Sequence, residues 1–162
     1  MEKIKNGEYV GIGKVMVTKS PVILFTILGS CLAVTLYNRE MKIGGMAHIL
    51  MAGDGSEDTK YVKPAIDHMI KKLEALGGRD LSWVAKITGG STMNEGSNML
   101  VANVGRYTAL QALELLFEKQ LNIVGMHVGG DCRRGVYFHL DTGEIELDIE
   151  GSGIFDNEMI RI

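Results

Sequence analysis

Glycines recur at the ends of the apolar, β-rich segments of this chain, and their positions constrain the fold more than any other feature. Gly29 follows the apolar run 22–28, and the pairs Gly44-Gly45, Gly89-Gly90 and Gly129-Gly130 interrupt or end later runs. The 162 residues include 21 glycines and only two prolines, which indicates tight turns rather than a flexible linker. Because sites are often built where strand ends allow the backbone to approach closely, we expect functional residues beside these glycines.

Short apolar or alternating runs predict about eight strands, whereas two segments show the spacing of a long helix. The helices are predicted over 62–76 and 103–120. The strand candidates are 9–17, 22–28, 31–37, 43–50, 81–87, 122–128, 136–140 and 144–149. This ratio predicts an α+β fold, a layered α/β/β sandwich with mixed, largely antiparallel sheets. We expect a single domain over 1–151 and a C-terminal tail without periodicity over 152–162.

Charge and hydropathy exclude several classes of protein. The 17 Lys+Arg and 20 Asp+Glu residues give a net charge of −3 without a block of like charge, so binding to nucleic acid or to an anionic membrane is not indicated. The longest apolar run, around 22–36, contains Gly29, Ser30 and Cys31 and falls short of the ~20 residues that span a bilayer. Without a signal peptide, and with only two cysteines, the expected protein is cytoplasmic, not membrane-inserted, and has reduced thiols.

Two side chains form a candidate cysteine–histidine pair. Cys31 follows Gly29-Ser30 at the start of an apolar strand, and His48 lies near the end of the next predicted strand. If these strands pair about the turn at 38–42, both residues lie at the same end of a hairpin. Because a thiol attacks as its thiolate, it needs a base or a lowered pKa, and an imidazolium partner favours the thiolate. The alternative is an inert buried thiol and a core histidine.

Other candidate sites are weaker. Cys132 lies between Asp131 and Arg133-Arg134; the arginines favour its thiolate and the aspartate opposes it, so Cys132 is a rival reactive thiol. No short ligand pair such as CxxC or HxxxH is present, and we therefore expect no metal and no cofactor. The metal ligands available in principle are Cys31, His48, His127 and Cys132. Gly89-Gly90-Ser91-Thr92 lacks the GK[ST] ending of a phosphate-binding loop, so nucleotide binding is not expected.

Several segments together resemble one known family. They are TILGSCLAV (26–34), GMAHIL (45–50), KITGGSxM (86–93), and Val128-Gly129-Gly130 with Arg134. The chain resembles the chemoreceptor glutamine deamidase family, CheD, over roughly residues 8–150, and the LGSC element with a histidine seventeen residues later is the most specific part. The resemblance implies a layered α/β sandwich. It also implies a cysteine hydrolase that converts selected receptor glutamines to glutamates, releasing ammonia.

The resemblance also implies roles for individual residues and partners. The catalytic cysteine and histidine of the family map onto Cys31 and His48, and its assisting threonine maps onto Thr26. The implied substrates are methyl-accepting chemotaxis receptors, and the implied partner is a CheC-type phosphatase. His127 departs from the family pattern, since an acidic residue usually stands there. Two alternatives remain open: a module that docks on such a phosphatase with catalysis secondary, and a cysteine hydrolase of another protein amide or methyl ester.

These residue types permit acyl transfer through a thioester. Cys31 would attack the carboxamide carbon, and His48 would move the protons. Backbone N–H groups at the Ser30-Cys31 turn would hold the oxyanion, and Thr26 would orient the imidazole. We expect the Cys31 sulfur and a ring nitrogen of His48 to lie within hydrogen-bonding reach, or slightly further apart without substrate. The pair should open onto a shallow, solvent-accessible site, because the substrate is a side chain on a folded receptor.

Overall fold

The computed structural model describes residues 5–54, 56–80, 82–92, 103–150 and 158–162. These ranges contain two α-helices: α1, Val62–Leu73, and α2, Val104–Glu118. A π-helical turn over Glu74–Gly78 continues α1. The strands are β1 Gly7–Tyr9, β2 Val15–Thr18, β3 Ile23–Leu28, β4 Leu32–Asn38, β5 Ile43–Ile49, β6 Val84–Gly89, β7 Asn122–Val128, β8 Arg133–His139, β9 Ile145–Glu150 and β10 Glu158–Arg161.

The strands form two five-stranded sheets. One has the order β1-β3-β8-β9-β10 and the other β2-β5-β4-β6-β7. The pairs β1/β3 and β6/β7 are parallel, and the remaining neighbours are antiparallel. Both helices pack on the second sheet, and the first sheet covers its other face. The predicted α+β sandwich with mixed, largely antiparallel sheets is confirmed.

Strand β4 lies at the centre of the second sheet and is buried on both faces. Leu32, Val34 and Leu36 face the helices, whereas Ala33 and Tyr37 face the first sheet. The sequence of a strand that is covered on both faces is a continuous apolar run, without the alternation of polar and apolar residues seen in a half-exposed strand. The layer between the two sheets, which we call the inter-sheet layer, contains the candidate site.

The structure differs from the sequence prediction at both ends of the chain. The predicted strand 9–17 is two strands in different sheets, separated by a turn at Gly13, which has φ +78°. The predicted tail contains β10, which pairs antiparallel with β9; four residues are too few to show a period. The predicted boundary between residues 151 and 152 lies outside the described residues. No helix in the described ranges is long and apolar enough to span a membrane.

Candidate active site

The three predicted catalytic residues share the inter-sheet layer. Strands β4 and β5 form the predicted hairpin, in which Ala33 lies opposite His48. Cys31 directly precedes β4 and is two residues from Ala33, so it belongs to the same face and is a diagonal neighbour of His48. Thr26 lies opposite Val136 in the facing sheet and is buried in the same layer. The predicted placement of Cys31 and His48 at one end of a hairpin is confirmed.

One carbonyl oxygen determines how the His48 ring is held. The Val10 oxygen lies 2.7 Å from the Thr26 hydroxyl oxygen and 3.0 Å from Nδ1 of His48, and the hydroxyl oxygen lies 2.8 Å from that nitrogen. A carbonyl oxygen only accepts hydrogen bonds, so both neighbours must donate to it. The Thr26 hydroxyl thus donates its proton to the Val10 carbonyl. Nδ1 of His48 must also carry a proton, which it donates to the same carbonyl.

The consequence of this arrangement is a basic nitrogen at the other side of the ring. In a neutral imidazole with its proton on Nδ1, Nε2 holds the free electron pair. Nε2 of His48 is buried and makes no hydrogen bond in the described part of the chain, so the predicted contact with Sγ of Cys31 is not a formed hydrogen bond in the absence of substrate. It is the atom that can accept a proton from a thiol or from water.

The segment between β1 and β2 explains why a backbone carbonyl reaches this ring. The Val10 N–H donates to Phe25 of β3, 2.8 Å, which keeps Val10 beside the first sheet. Three residues later, the Gly13 N–H donates to the His48 carbonyl, 2.8 Å, at the second sheet. The segment therefore crosses from one sheet to the other past His48. Val10 contributes a main-chain acceptor, which leaves no mark on the side-chain pattern, so its role could not be predicted from the sequence.

The turn before Cys31 is held by the glycine-rich segment that follows β6. The N–H groups of Gly90 and Ser91 donate to the carbonyls of Cys31 and Gly29, at 2.8 and 3.2 Å. Gly89 has φ +109°, and a Cβ at this position would collide with the Cys31 carbonyl. This contact requires glycine at position 89, and it places the candidate nucleophile Cys31 beside the Gly89-Gly90 pair.

Burial is deeper than the sequence analysis predicted. Cys31 is 9% exposed, and Thr26 and His48 are each 1% exposed. Burial raises the pKa of the Cys31 thiol and lowers the pKa of His48, although the hydrogen bond to Val10 partly opposes the second shift. Both shifts favour a neutral thiol beside a neutral imidazole. The expectation of a shallow site is therefore wrong, and the directions of both pKa shifts oppose the expected thiolate–imidazolium pair in the absence of substrate.

The rival candidates Cys132 and His127 lie around a buried arginine. Arg134, 1% exposed, donates from Nε to Nδ1 of His127 at 2.9 Å. Its other nitrogens donate to the Ser91 hydroxyl and to the Gly129 carbonyl, both at 2.6 Å. His127 thus supplies an acceptor to the guanidinium, a role that an acidic side chain at this position would also fill. Cys132 is a half-buried free thiol.

Among the described residues, no three His, Cys, Asp or Glu side chains are grouped so that they could hold a metal ion. A cavity of about 660 Å³ lies at the other end of the sandwich, where its lining includes Tyr37, Lys86 and Gly143. Lys86 donates there to the carbonyls of Gly143 and Ile162, at 2.9 and 2.7 Å. The cavity does not include Cys31 or His48.

Comparison with known proteins points in one direction. The family described as CheD chemotactic sensory transduction matches residues 48–148. A protein of Archaeoglobus fulgidus named probable chemoreceptor glutamine deamidase CheD is 32% identical over 147 residues, which is 89% of this chain and 94% of that protein. A protein of the same name from Methanococcus vannielii is 34% identical over 90% of this chain and 92% of its own length. The chemoreceptor glutamine deamidase CheD of Thermotoga maritima is 29% identical over 89% of this chain and 92% of its own length.

Proposed function

The chain belongs to the CheD family, and from that premise we propose that it is a cysteine-dependent protein-glutamine deamidase. Its substrates are methyl-accepting chemotaxis receptors, in which it converts glutamine to glutamate and releases ammonia during chemotactic adaptation. The observation that carries the proposal is the His48 ring, held through Nδ1 with Nε2 unpartnered among the described residues. Cys31 lies on the same inter-sheet face.

The first half of the reaction forms a thioester from a neutral pair. Nε2 of His48 takes the thiol proton as Sγ of Cys31 attacks the carboxamide carbon of the substrate glutamine. The imidazolium that forms is stabilised by the Val10 carbonyl and the Thr26 hydroxyl oxygen, which both accept from Nδ1–H. Nε2–H then protonates the departing nitrogen, ammonia leaves, and the acyl group remains on sulfur.

The second half hydrolyses the thioester. Nε2, again neutral, takes a proton from water, whose oxygen attacks the thioester carbon. The carbon–sulfur bond breaks, the sulfur regains a proton from the imidazolium, and glutamate is released. Both tetrahedral intermediates carry an oxyanion that N–H groups of the Ser30-Cys31 turn would hold. No step requires a metal or a cofactor.

The burial of the site supports a side-chain substrate. Cys31 is 9% exposed and His48 1% exposed, so the reactive carbonyl must reach below the surface. The carboxamide at the end of a glutamine side chain extends away from its backbone and meets this requirement. A glutamate methyl ester has a similar reach, so the test below follows both products.

Mapping the products on receptor fragments tests the proposal. Purified protein is incubated with cytoplasmic receptor fragments in glutamine and in methylated form, and glutamine-to-glutamate and ester-to-acid changes are mapped by mass spectrometry. We expect conversion of glutamines by the wild type and by the matched control Cys132→Ala, and none by Cys31→Ala. Ester cleavage without deamidation, or no conversion, would contradict the proposed function; loss of activity in Cys132→Ala alone would overturn the choice of nucleophile.

We also propose a CheC-type phosphatase as a protein partner, in which case docking is a second function of the chain. Three large apolar side chains on the one helix α2 are exposed: Tyr107 by 50%, Leu110 by 48% and Phe117 by 81%. A group of exposed apolar residues on one protein often marks a contact with another. Titration calorimetry with a CheC-type phosphatase should give saturable binding that Phe117→Ser weakens. Absence of binding by the wild type would contradict this part of the proposal.

A further inference from the structure

The guanidinium of Arg134 is enclosed between the sheets and makes three different hydrogen bonds. Arg134 lies on β8 and pairs with Leu28 of β3. Leu28 precedes Cys31 by three residues in the sequence. Its acceptors are Nδ1 of His127, the hydroxyl oxygen of Ser91 and the carbonyl of Gly129, at 2.9, 2.6 and 2.6 Å. A planar guanidinium can donate to all three acceptors at once, because its N–H groups point in separate fixed directions. A lysine ammonium does not have this donor geometry.

Ser91 transmits this constraint to the nucleophile turn. Its hydroxyl accepts from Arg134 and donates to the carbonyl of Cys132. Its own N–H donates to the Gly29 carbonyl at 3.2 Å. Ser91 is fully buried, so its position is fixed by these contacts, and the Gly29 carbonyl is held in turn.

Fixing that carbonyl also fixes a hydrogen-bond donor. The peptide group is planar and trans, so the Gly29 carbonyl and the Ser30 N–H point in opposite directions. Two residues further along the chain, the Cys31 carbonyl accepts a hydrogen bond from the Gly90 N–H at 2.8 Å. Within the described part of the chain, no backbone hydrogen bond is made by the N–H groups of Ser30 or Cys31. These two donors are available to an oxyanion.

We propose that Arg134 is a positioning residue for the oxyanion-binding turn and acts through Ser91. The inference rests on the proposed deamidase function, and it adds a role that the cysteine–histidine–threonine set does not contain. Arg134 does not touch the substrate. It orients the donors that stabilise the tetrahedral intermediates, so its loss raises the barrier of the acyl-transfer steps without changing the chemistry of the thiol.

Two reactions of Cys31 separate this role from a general effect on the fold. Deamidation passes through an oxyanion, whereas alkylation by iodoacetamide is a displacement at an sp³ carbon and forms none. We compare kcat, KM and the alkylation rate of Cys31, followed by peptide mapping, in Ser91→Ala and in the control Thr108→Ala. Thr108 is also buried, but its hydroxyl donates to the Val104 carbonyl within α2, at 2.7 Å, and makes no hydrogen bond to the turn within the described residues.

We expect Ser91→Ala to lower kcat by about 10- to 100-fold, since complete loss of an oxyanion donor costs roughly 100- to 1,000-fold. Its KM and its alkylation rate should stay within about twofold of the wild type, and Thr108→Ala should keep kcat. Arg134→Lys should show the same changes in kcat, KM and alkylation rate as Ser91→Ala. It is the variant to measure if Ser91→Ala does not fold. Unchanged kcat in these variants, or alkylation that falls in proportion to kcat, would overturn the positioning role. A wild type that deamidates no receptor glutamine would instead remove the proposed function, and the inference with it.

Discussion

The hydroxyl oxygen of Thr26 lies 2.8 Å from Nδ1 of His48, and it accepts a hydrogen bond from the ring rather than donating one. This direction follows because its proton is directed to the Val10 carbonyl, 2.7 Å away. The imidazole therefore has two neutral acceptors on one side, a hydroxyl and a main-chain carbonyl. In other nucleophilic sites a carboxylate or a carboxamide serves this purpose. Here the orienting function is divided between a side chain and the backbone.

Removing one of the two acceptors should impair catalysis without abolishing it. In Thr26→Val the Val10 carbonyl still accepts from Nδ1 of His48, so the tautomer persists. A hydrogen bond to a charged group contributes about 1.5–3 kcal/mol, so we expect kcat for glutamine conversion to fall roughly 10- to 100-fold. The control Thr26→Ser keeps the hydroxyl and should retain most activity. The assignment is wrong if Thr26→Val is as inactive as His48→Ala, or as active as the wild type.

The pKa shifts at the site predict that the Cys31 thiol reacts slowly with alkylating reagents in the absence of substrate. Burial raises the pKa of Cys31 and lowers that of His48, so near neutral pH both groups are uncharged. Alkylation of Cys31 by iodoacetamide should therefore rise at higher pH than that of a free thiol, for which the pKa is about 8.5. The measurement is the alkylation rate of the Cys31 peptide as a function of pH. The same peptide in urea is the control, and its profile should move back to that of a free thiol. Full alkylation of native Cys31 at neutral pH would indicate a thiolate–imidazolium pair instead.

The sequence was sufficient to predict the hairpin that carries the cysteine–histidine pair. Two apolar runs, 31–37 and 43–50, flank a polar turn at 38–42, and strands joined so closely pair antiparallel. The spacing then places Cys31 and His48 at the same end, as the pairing of Leu32 with Ile49 shows. Local patterns were enough here because the contacts are local.

The sequence was insufficient wherever distant segments meet. Val10 reaches His48 only because the chain changes sheets between β1 and β2, and Arg134 reaches Ser91 across the two layers. The depth of the site depends on both sheets together, so the side-chain pattern of one hairpin does not reveal it. Strand β10 depends on pairing with β9, and its four residues carry no period of their own.

The close approach of Gly89 to the nucleophile turn predicts an activity loss that strain alone does not explain. Gly89→Ala places a Cβ against the Cys31 carbonyl and 2.9 Å from Cδ1 of Leu28. Gly77 has a similar φ, +101° against +109°, and a Cβ there meets nothing within 4 Å, so Gly77→Ala is the matched control. Each variant should lose roughly 1–3 kcal/mol of stability to backbone strain.

Only Gly89→Ala should also lose deamidation, because the Cys31 carbonyl must move to accommodate the new methyl group. We expect kcat to fall at least about tenfold in Gly89→Ala and to stay within about twofold of the wild type in Gly77→Ala. Urea unfolding and receptor-fragment assays on both variants provide the comparison. Equal kcat values in the two variants would show that the glycine contact does not position the nucleophile.

The lowered pKa of His48 also makes stability depend on pH in a defined direction. Burial is the main cause of the shift from the ordinary value of 6.5, so the unfolded chain binds this proton at a higher pH than the native protein. The contribution of His48 is therefore fully present above pH 6.5 and is lost as the pH falls from there through the native pKa. Each bound proton changes the free energy of unfolding by up to about 1.4 kcal/mol per pH unit in this window.

Urea unfolding of the wild type and of His48→Asn between pH 5 and pH 8 isolates this contribution. His68, His127 and His139 are present in both proteins, so subtracting the two pH profiles largely cancels their titration. The free energy of unfolding of the wild type should fall more steeply below about pH 6.5 than that of His48→Asn, and the profiles should run parallel above it. A steeper fall in the variant, or parallel profiles throughout, would mean that His48 is not held neutral in the native protein. The neutral-pair mechanism requires that neutral state at its first step, because only an unprotonated Nε2 can take the proton from Cys31.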